Sequence, residues 1–327
     1  MLRARPTSST YLARLRHQLS DFWTVFTFSA PTLNLSTRLR VGTTTLHIRQ
    51  WSGSDVGSGG VVWSASRRLC QYLEEHGDGS PAVPSTAEGK ADAMAVSSRP
   101  IGTLRLIELG SGTGAAGLAA AVLGFGSVTL SDQASFRFPN APGAREAPAR
   151  SLLDLARTNL QHNMDAIRSA NTRPPADSAT AGCSLADTDP TGNDPVSSAP
   201  AVARLLWGDD ADHAALPHAK YDVVMGSDVL LFTSAMLPLL ATLRRVSHEG
   251  TVVLIEHTDR ALWEGDYVYP LDLAGFLAAV EAEGRWESTI VRDVGRHITL
   301  RMVRRSSRST QVLTDSAEAV DVEKDTK

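Results

Sequence analysis

The chain has 327 residues, 42% hydrophobic and 21% charged, with a formal net charge of −4. That is the composition of a globular domain, and it excludes a chain whose overall basic charge drives it to nucleic acid. The two cysteines, Cys70 and Cys183, are far apart and give neither a metal-ligand spacing nor a disulfide framework, which suits a reducing compartment.

Met1 to Ser20 carries Arg3, Arg5, Arg14 and Arg16, several Ser and Thr, and no acid. Tyr11, Leu12, Leu15, Leu19 and Phe22 share one helix face, the pattern of a mitochondrial transit peptide. The other reading is a docking helix or leader of a cytoplasmic protein. It is preferred because strand-like sequence follows soon after. Phe22 to Phe28 is aromatic and β-branched, and Thr37 to Arg49 alternates apolar and polar residues across Gly42, which predicts a hairpin. Asp55 to Gly60 is a glycine-rich loop. Val61 to His76 places Leu69, Cys70, Tyr72 and Leu73 at helical spacing, ahead of the first core strand. The segments 77–102, 137–148 and 173–200 are rich in Pro, Ala, Ser or Gly without periodicity, and are expected to be mobile insertions.

Leu104 to Asp132 is the stretch on which the rest depends. The apolar run Leu104 to Leu109 is interrupted only by Arg105 and Glu108; Gly110, Gly112 and Gly114 follow, then small residues from Ala115 to Gly124. A second apolar run, Val128 to Leu130, stops at Asp132. The order reads strand, glycine turn, helix, strand, acid, the first half of a Rossmann-like nucleotide site. A glycine turn lets a ligand approach the backbone with no Cβ in the way. The helix opening near Gly114 presents free N–H groups, and Asp132 can accept both hydroxyls of a ribose. Leu109 to Ser131 carries no charge, but its six glycines, clustered on either side of the helical run, argue against a membrane helix. Gly112, Gly114 and Gly117 also spell the G-x-G-x-x-G of dinucleotide sites. Glu108 argues for another ligand: a pyrophosphate at the turn would meet a carboxylate, whereas a sulfonium cation with a free amino group would welcome one. That ligand is S-adenosylmethionine, with NAD the lesser reading.

Ser151 to Ile167 is helical by pattern, with Leu152, Leu155, Ala156, Leu160 and Met164 on one side. Val202 to Leu206 is a strand ending in Trp207-Gly208, and Tyr221 to Gly226 one ending in Ser227-Asp228. Ser234 to Val246 is a helix carrying Leu237, Leu240 and Leu243, with Thr233 placed to cap it. Thr251 to Glu256 is a β-branched strand, Leu271 to Glu283 a helix, and Trp286 to Val291 and His297 to Val303 the last strands. The fold class is α/β: a doubly wound, seven-stranded Rossmann-like sheet. One strand is antiparallel, because no helix separates the last two. The expected organisation is a leader and hairpin extension over 1–60, one domain over 61–304, and a disordered tail over 305–327.

Separated segments resemble the seven-strand methyltransferases of the methyltransferase-like lysine group, methyltransferase family sixteen. They are VVWSASRRL (61–69), IELGSGTGAAGLAAAVLG (107–124), VTLSD (128–132), LLWGD (205–209), YDVVMGSDVLL (221–231) and GTVVLIEHTDR (250–260). The resemblance implies S-adenosylmethionine as cofactor and a protein lysine as acceptor. Gly110, Ser111 and Gly112 would form the turn under the cofactor, Glu108 would lie near its amino group, and Asp132 would hold the ribose. Trp63 would stand at its methionine end, Trp207 against the adenosine, and Ser227 in the pocket wall. Asp228 opens the D-x-x-Y motif of the acceptor site and is the catalytic candidate, orienting the amine. The motif departs from the family at Leu231, where tyrosine is expected, with Phe232 directly after it. His257 and Asp259 end the fifth strand, where ligands gather in such sheets. No His, Cys and Asp cluster suggests a metal. The partner expected is a protein substrate, with no nucleic acid and no membrane, and the chain is expected to be a monomer in the cytoplasm. Three other functions remain: a cofactor-binding module without turnover, a methyltransferase acting on a non-lysine acceptor, and an NAD-dependent oxidoreductase, which Glu108 disfavours.

Overall fold

The computed structural model describes residues 33–52, 57–76, 99–134, 151–172, 199–231, 233–259 and 273–306. The expected N-terminal helix, the Phe22 to Phe28 stretch, Phe232, and most of the three expected insertions and of the tail lie outside them. Two strands, β1 (Leu33–Val41) and β2 (Thr44–Ser52), form an antiparallel hairpin about Gly42. Seven more form one sheet: β3 (Arg105–Leu109), β4 (Ser127–Asp132), β5 (Ala201–Arg204), β6 (Tyr221–Ser227), β7 (Ser247–Thr258), β8 (Trp286–Val294) and β9 (His297–Arg304). Their order is β5-β4-β3-β6-β7-β9-β8. Strands β3 to β7 are parallel neighbours, and β9 runs antiparallel to both β7 and β8. One strand therefore opposes the rest, as the helix-free step between the last two strands predicts. The order reverses between β3 and β6, and the crevice beyond their carboxyl ends is where ligands bind in such sheets.

Helices cover both faces. α1 (Ser64–His76), α2 (Ala115–Val122) and α3 (Leu152–Asn171) pack on one face, against Leu106, Val128, Leu130, Met225 and Leu254. α5 (Met236–Val246) and α6 (Leu273–Glu283) pack on the other, against Ile107, Val224, Val253 and Leu300. A short helix, α4 (Asp210–Ala214), precedes β6. Apolar neighbours such as Val223 and Val224 point to opposite layers, so the central strands are apolar throughout. Every residue of α2 is buried, and a Cβ on its Gly117 would stand 2.0 Å from Leu130 Cδ2. Small residues are what let this helix press onto the sheet.

Three expectations about side chains need correction. Leu237 is 69% exposed, and the residues of α5 turned to the sheet are Leu239, Leu240, Leu243 and Val246. Thr233 lies in a 3-10 turn ahead of α5, whose N-cap is Ala235 with no side-chain cap bond. The end of the first expected insertion is built into the fold: Ile101 packs against the core and Arg99 pairs with Asp222.

The hairpin is clasped by two buried asparagines of α3. Asn163 Oδ1 accepts the His47 N–H at 2.8 Å and its Nδ2 donates to His47 O at 3.0 Å. Asn159 repeats this on Arg49, at 2.8 and 3.0 Å, and also donates to Thr113 O at 2.9 Å. Two amides one helical turn apart thus stand in for a strand along the edge of β2. Asn159→Ala leaves the part-buried backbone groups of Arg49 and the buried Thr113 carbonyl without this partner, which should lower stability by about 1–2 kcal/mol. Urea unfolding would measure that loss, and protease cutting after β2 in the folded variant would report the loosened hairpin.

At the opposite end of the sheet, Asp222 fastens three segments. Its Oδ2 accepts the Arg105 N–H at 2.8 Å, and its Oδ1 meets the Arg99 guanidinium and His248 Nε2, the latter at 3.2 Å. Burial opposes the carboxylate, but the His248, Arg105 and Arg99 bonds outweigh it and hold its pKa at about 2. The Asp222 bond raises the pKa of His248. A depressed acid stabilises the fold above its unfolded pKa and loses that contribution as pH falls through about 2; His248 contributes below its unfolded value and loses its share as pH rises. Asp222→Asn should therefore cost roughly 2 kcal/mol at neutral pH, with the deficit shrinking below about pH 4. Urea melts of both proteins across that range check the sign.

Candidate active site at the carboxyl ends of the central strands

Between β3 and α2 the chain takes left-handed backbone at Gly110 (φ 64), Gly112 (φ 51) and Gly114 (φ 78). Any side chain would strain this turn, and at Gly112 a Cβ would also stand 2.5 Å from Gly59 O. The turn is fastened to β4. Ser111 N–H donates to Ser131 O at 2.9 Å, and Gly112 N–H donates to Asp132 Oδ2 at 2.7 Å. The other Asp132 oxygen accepts the Gln133 N–H at 2.7 Å. Burial pushes the Asp132 pKa up to about 6 against those two amide bonds. Ser111 is buried, and its Oγ has no hydrogen-bond partner.

Glu108 is 1% exposed, and its Oε2 accepts the Gly117 N–H at 2.8 Å. It satisfies one of the free donors in the first turn of α2. Burial raises its pKa to about 8, against the Gly117 bond and with the Asp132 carboxylate adding to the rise. Its carboxyl lies beneath α2, because Glu108 shares the face of β3 that this helix covers.

Trp63, just ahead of α1, is half-buried, and its Nε1–H donates to Ser58 O at 2.8 Å. This holds the 3-10 turn Gly57–Gly60, whose Gly59 carbonyl lies over Gly112; Gln50 of β2 braces the same segment by accepting the Val62 N–H at 2.7 Å. Trp63 is thus joined to the glycine turn through Gly59. Trp207, beyond β5, is half-buried with its Cζ2 3.6 Å from where a Gly110 Cβ would stand; Val229 Cγ1 is 3.2 Å from the same point. Ser227, half-buried, ends β6 across the switch point. The structure therefore brings Gly110, Ser111, Gly112, Asp132 and Trp207 together, with Ser227 on the adjoining strand.

Asp228 adopts left-handed backbone (φ 54), the one non-glycine to do so among the described residues, and is 5% exposed. Its N–H donates to Glu256 O at 2.8 Å, its Oδ1 accepts the Thr258 N–H at 2.9 Å, and its Oδ2 accepts the Thr258 hydroxyl at 3.2 Å. It bridges β6 and β7. Leu231 is half-buried. His257 is buried and Asp259 is exposed, its N–H donating to Arg296 O at 2.7 Å. Sequence reading misses Asn159, Thr258 and Glu256. A polar residue on the apolar stripe of α3 is the signal for Asn159, and a carboxylate closing a β-branched run is the signal for Glu256. Among the described residues no group of His, Cys, Asp or Glu could hold a metal ion, and no helix is long and apolar enough to cross a membrane.

A family model described as lysine methyltransferase matches residues 41–138 and 191–273, more than half of the chain. Protein N-lysine methyltransferase METTL21A of Danio rerio is 28% identical over 200 residues, 61% of this chain and 61% of that protein. The chain thus matches less than two thirds of the length of that relative. Among solved structures, the ribosomal protein L11 methylase of Lactobacillus delbrueckii subsp. bulgaricus aligns with a TM-score of 0.42 at 14% identity, over 75% of this chain and 81% of that one. The 16S rRNA methyltransferase RsmC of T. thermophilus, in complex with AdoMet and guanosine, aligns with a TM-score of 0.41 at 14% identity, over 84% of this chain and 52% of that one. On the extent of the family match, the chain belongs to the lysine methyltransferase family.

Proposed function

We propose that this protein transfers a methyl group from S-adenosylmethionine to a lysine side chain of a protein substrate. The observation that carries the reading is the Asp132 carboxylate, bonded to Gly112 N–H at the end of β4 beside a turn of left-handed glycines. The residues fit the cofactor. The left-handed glycines shape a turn that packs closely on Gly59, Val229 and Leu130, Asp132 keeps lone pairs for two ribose hydroxyls, and the Trp207 ring lies next to Gly110. Family membership and the name of the Danio rerio relative support lysine as the acceptor.

When bound, S-adenosylmethionine supplies a methyl group already activated on a sulfonium, so the chain has mainly to align the reactants. Gly110, Ser111 and Gly112 cradle, Asp132 holds the ribose, and Trp207 flanks the adenosine. Trp63 stands at the methionine end, and Ser227 lines the pocket wall. Asp228 orients the acceptor amine and favours its approach as a cation. The protein works as a monomer on a protein substrate, apart from nucleic acid and membrane. Its compartment is the cytoplasm on cysteine usage, with the mitochondrion the alternative.

Calorimetry should show binding of S-adenosylmethionine and none of NAD, and a labelled donor should mark proteins in a lysate. Leu231, in place of the family tyrosine, favours a second reading: tight cofactor binding with no transfer to any lysate protein would establish a binding module instead.

A further inference from the structure

Glu256 lies at the carboxyl end of β7, wholly buried, in register with Ser227 on β6 and Thr299 on β9. Its Oε2 accepts the Thr299 hydroxyl at 2.5 Å, whereas its Oε1 has no hydrogen-bond partner. A buried carboxylate oxygen left this way is costly. His297 Nδ1 stands 3.9 Å from that oxygen and 3.5 Å from the Thr258 hydroxyl. The same hydroxyl donates to Asp228 Oδ2. Asp228, Thr258, His297 and Glu256 therefore form a row across the ends of β6, β7 and β9. The two carboxylates are buried, and His297 keeps 17% side-chain exposure. Asp228 fastens β6 to β7 and Thr299 ties β9 to Glu256, but fastening does not call for a Glu256 Oε1 left without a hydrogen bond beside the His297 ring.

We propose that this row is the proton exit for the acceptor amine, a role that rests on the lysine methyl-transfer reading. A lysine arrives as an ammonium and must lose one proton before its lone pair can attack. Asp228 takes that proton. The Thr258 hydroxyl turns, accepting that proton from Asp228 as it gives its own to His297 Nδ1; this regenerates the Asp228 carboxylate, and His297 releases a proton to water. Glu256, beside the ring, stabilises the imidazolium while it lasts. The N–C bond then forms as the C–S bond breaks, and its electron pair stays on sulfur. Burial raises the pKa of Glu256, with Asp228 adding to the rise; the Thr299 bond and the cations Arg68 of α1 and Arg292 of β8 act against it and favour the carboxylate. In this scheme Thr258, His297 and Glu256 are positioning residues that act through Asp228.

Two measurements test the proposal. In histidine-ring NMR of the ligand-free protein, the His297 signal is assigned by its loss in His297→Gln. Its titration midpoint should fall by about half a pH unit or more in Glu256→Gln, and by less in Asp228→Asn. A midpoint unmoved in both variants overturns the row. In the second, labelled S-adenosylmethionine is supplied with a lysate from cells lacking the gene product. Thr258→Val and His297→Gln should lower transfer about tenfold near neutral pH. Both should return to within about threefold of the parent near pH 9.5, where lysine begins to shed its proton unaided, with calorimetric cofactor affinity constant. A loss equal at every pH overturns the proton exit and leaves methyl transfer standing. A parent protein that binds the cofactor but transfers nothing at any pH overturns the methyl-transfer reading itself, and the exit with it.

Discussion

Asp132→Ala should weaken S-adenosylmethionine binding by about 1.5–3 kcal/mol, roughly ten- to a hundredfold, because a charge-assisted acceptor for the ribose is lost. The fold should survive. Asp132 has a pKa of about 6 in the ligand-free protein, raised by burial. A raised acid favours folding while it holds its proton, below its unfolded pKa, and loses that contribution as pH rises through about 6. At neutral pH its ionised form is therefore a cost that the folded protein carries for its ligand, as functional sites often do. Affinity should accordingly rise between about pH 5 and pH 7 as the carboxylate forms. Asp132→Asn keeps an acceptor for Gly112 but sets its amide donor against the Gln133 N–H; it should flatten that rise and lower the thermal midpoint of the ligand-free protein modestly. Calorimetry and thermal melts over this range measure both. Unchanged affinity in Asp132→Ala would remove Asp132 from the cofactor site.

The same residues show how far sequence reaches. The stretch from β3 to β4 is legible because its signals are local: apolar strand, alternate glycines with no room for a Cβ, small-residue helix, acid at the strand end. Gly42 marks the hairpin for the same reason. What fails depends on partners distant along the chain. Asn159 meets a strand 110 residues earlier, and nothing near it in sequence says so. Helix α4 has only five residues, Asp210 to Ala214, too few and too polar for a periodicity. Leu237 is apolar and spaced like its neighbours, yet it lies one step around the helix from the face that α5 buries.

Asp228→Asn should lower methyl transfer about a hundredfold, near 2.7 kcal/mol in the barrier, with cofactor affinity within about twofold of the parent. The expectation rests on how little else the substitution changes. Asn is among the few residues that take left-handed backbone readily, so φ 54 is kept. Its side-chain oxygen can still accept the Thr258 N–H, a 2.9 Å bond in the parent. Its amide can donate to the Thr258 hydroxyl, which turns from donor to acceptor. The bridge between β6 and β7 thus persists, and only the charge and the site for the amine's proton are gone. Asp228→Ala is a poorer probe, since it strains the backbone and orphans the Thr258 N–H, which together should cost about 2–3 kcal/mol of stability. Steady-state transfer, calorimetry and melting on Asp228→Asn separate the roles. Transfer and affinity falling together would make Asp228 a cofactor or structural residue. Leu231→Tyr carries the argument to the other end of the motif: if the missing ring hydroxyl limits lysine methylation, restoring it should raise transfer in the parent background and not in Asp228→Asn. A rise in both backgrounds would mean that the tyrosine acts without the carboxylate.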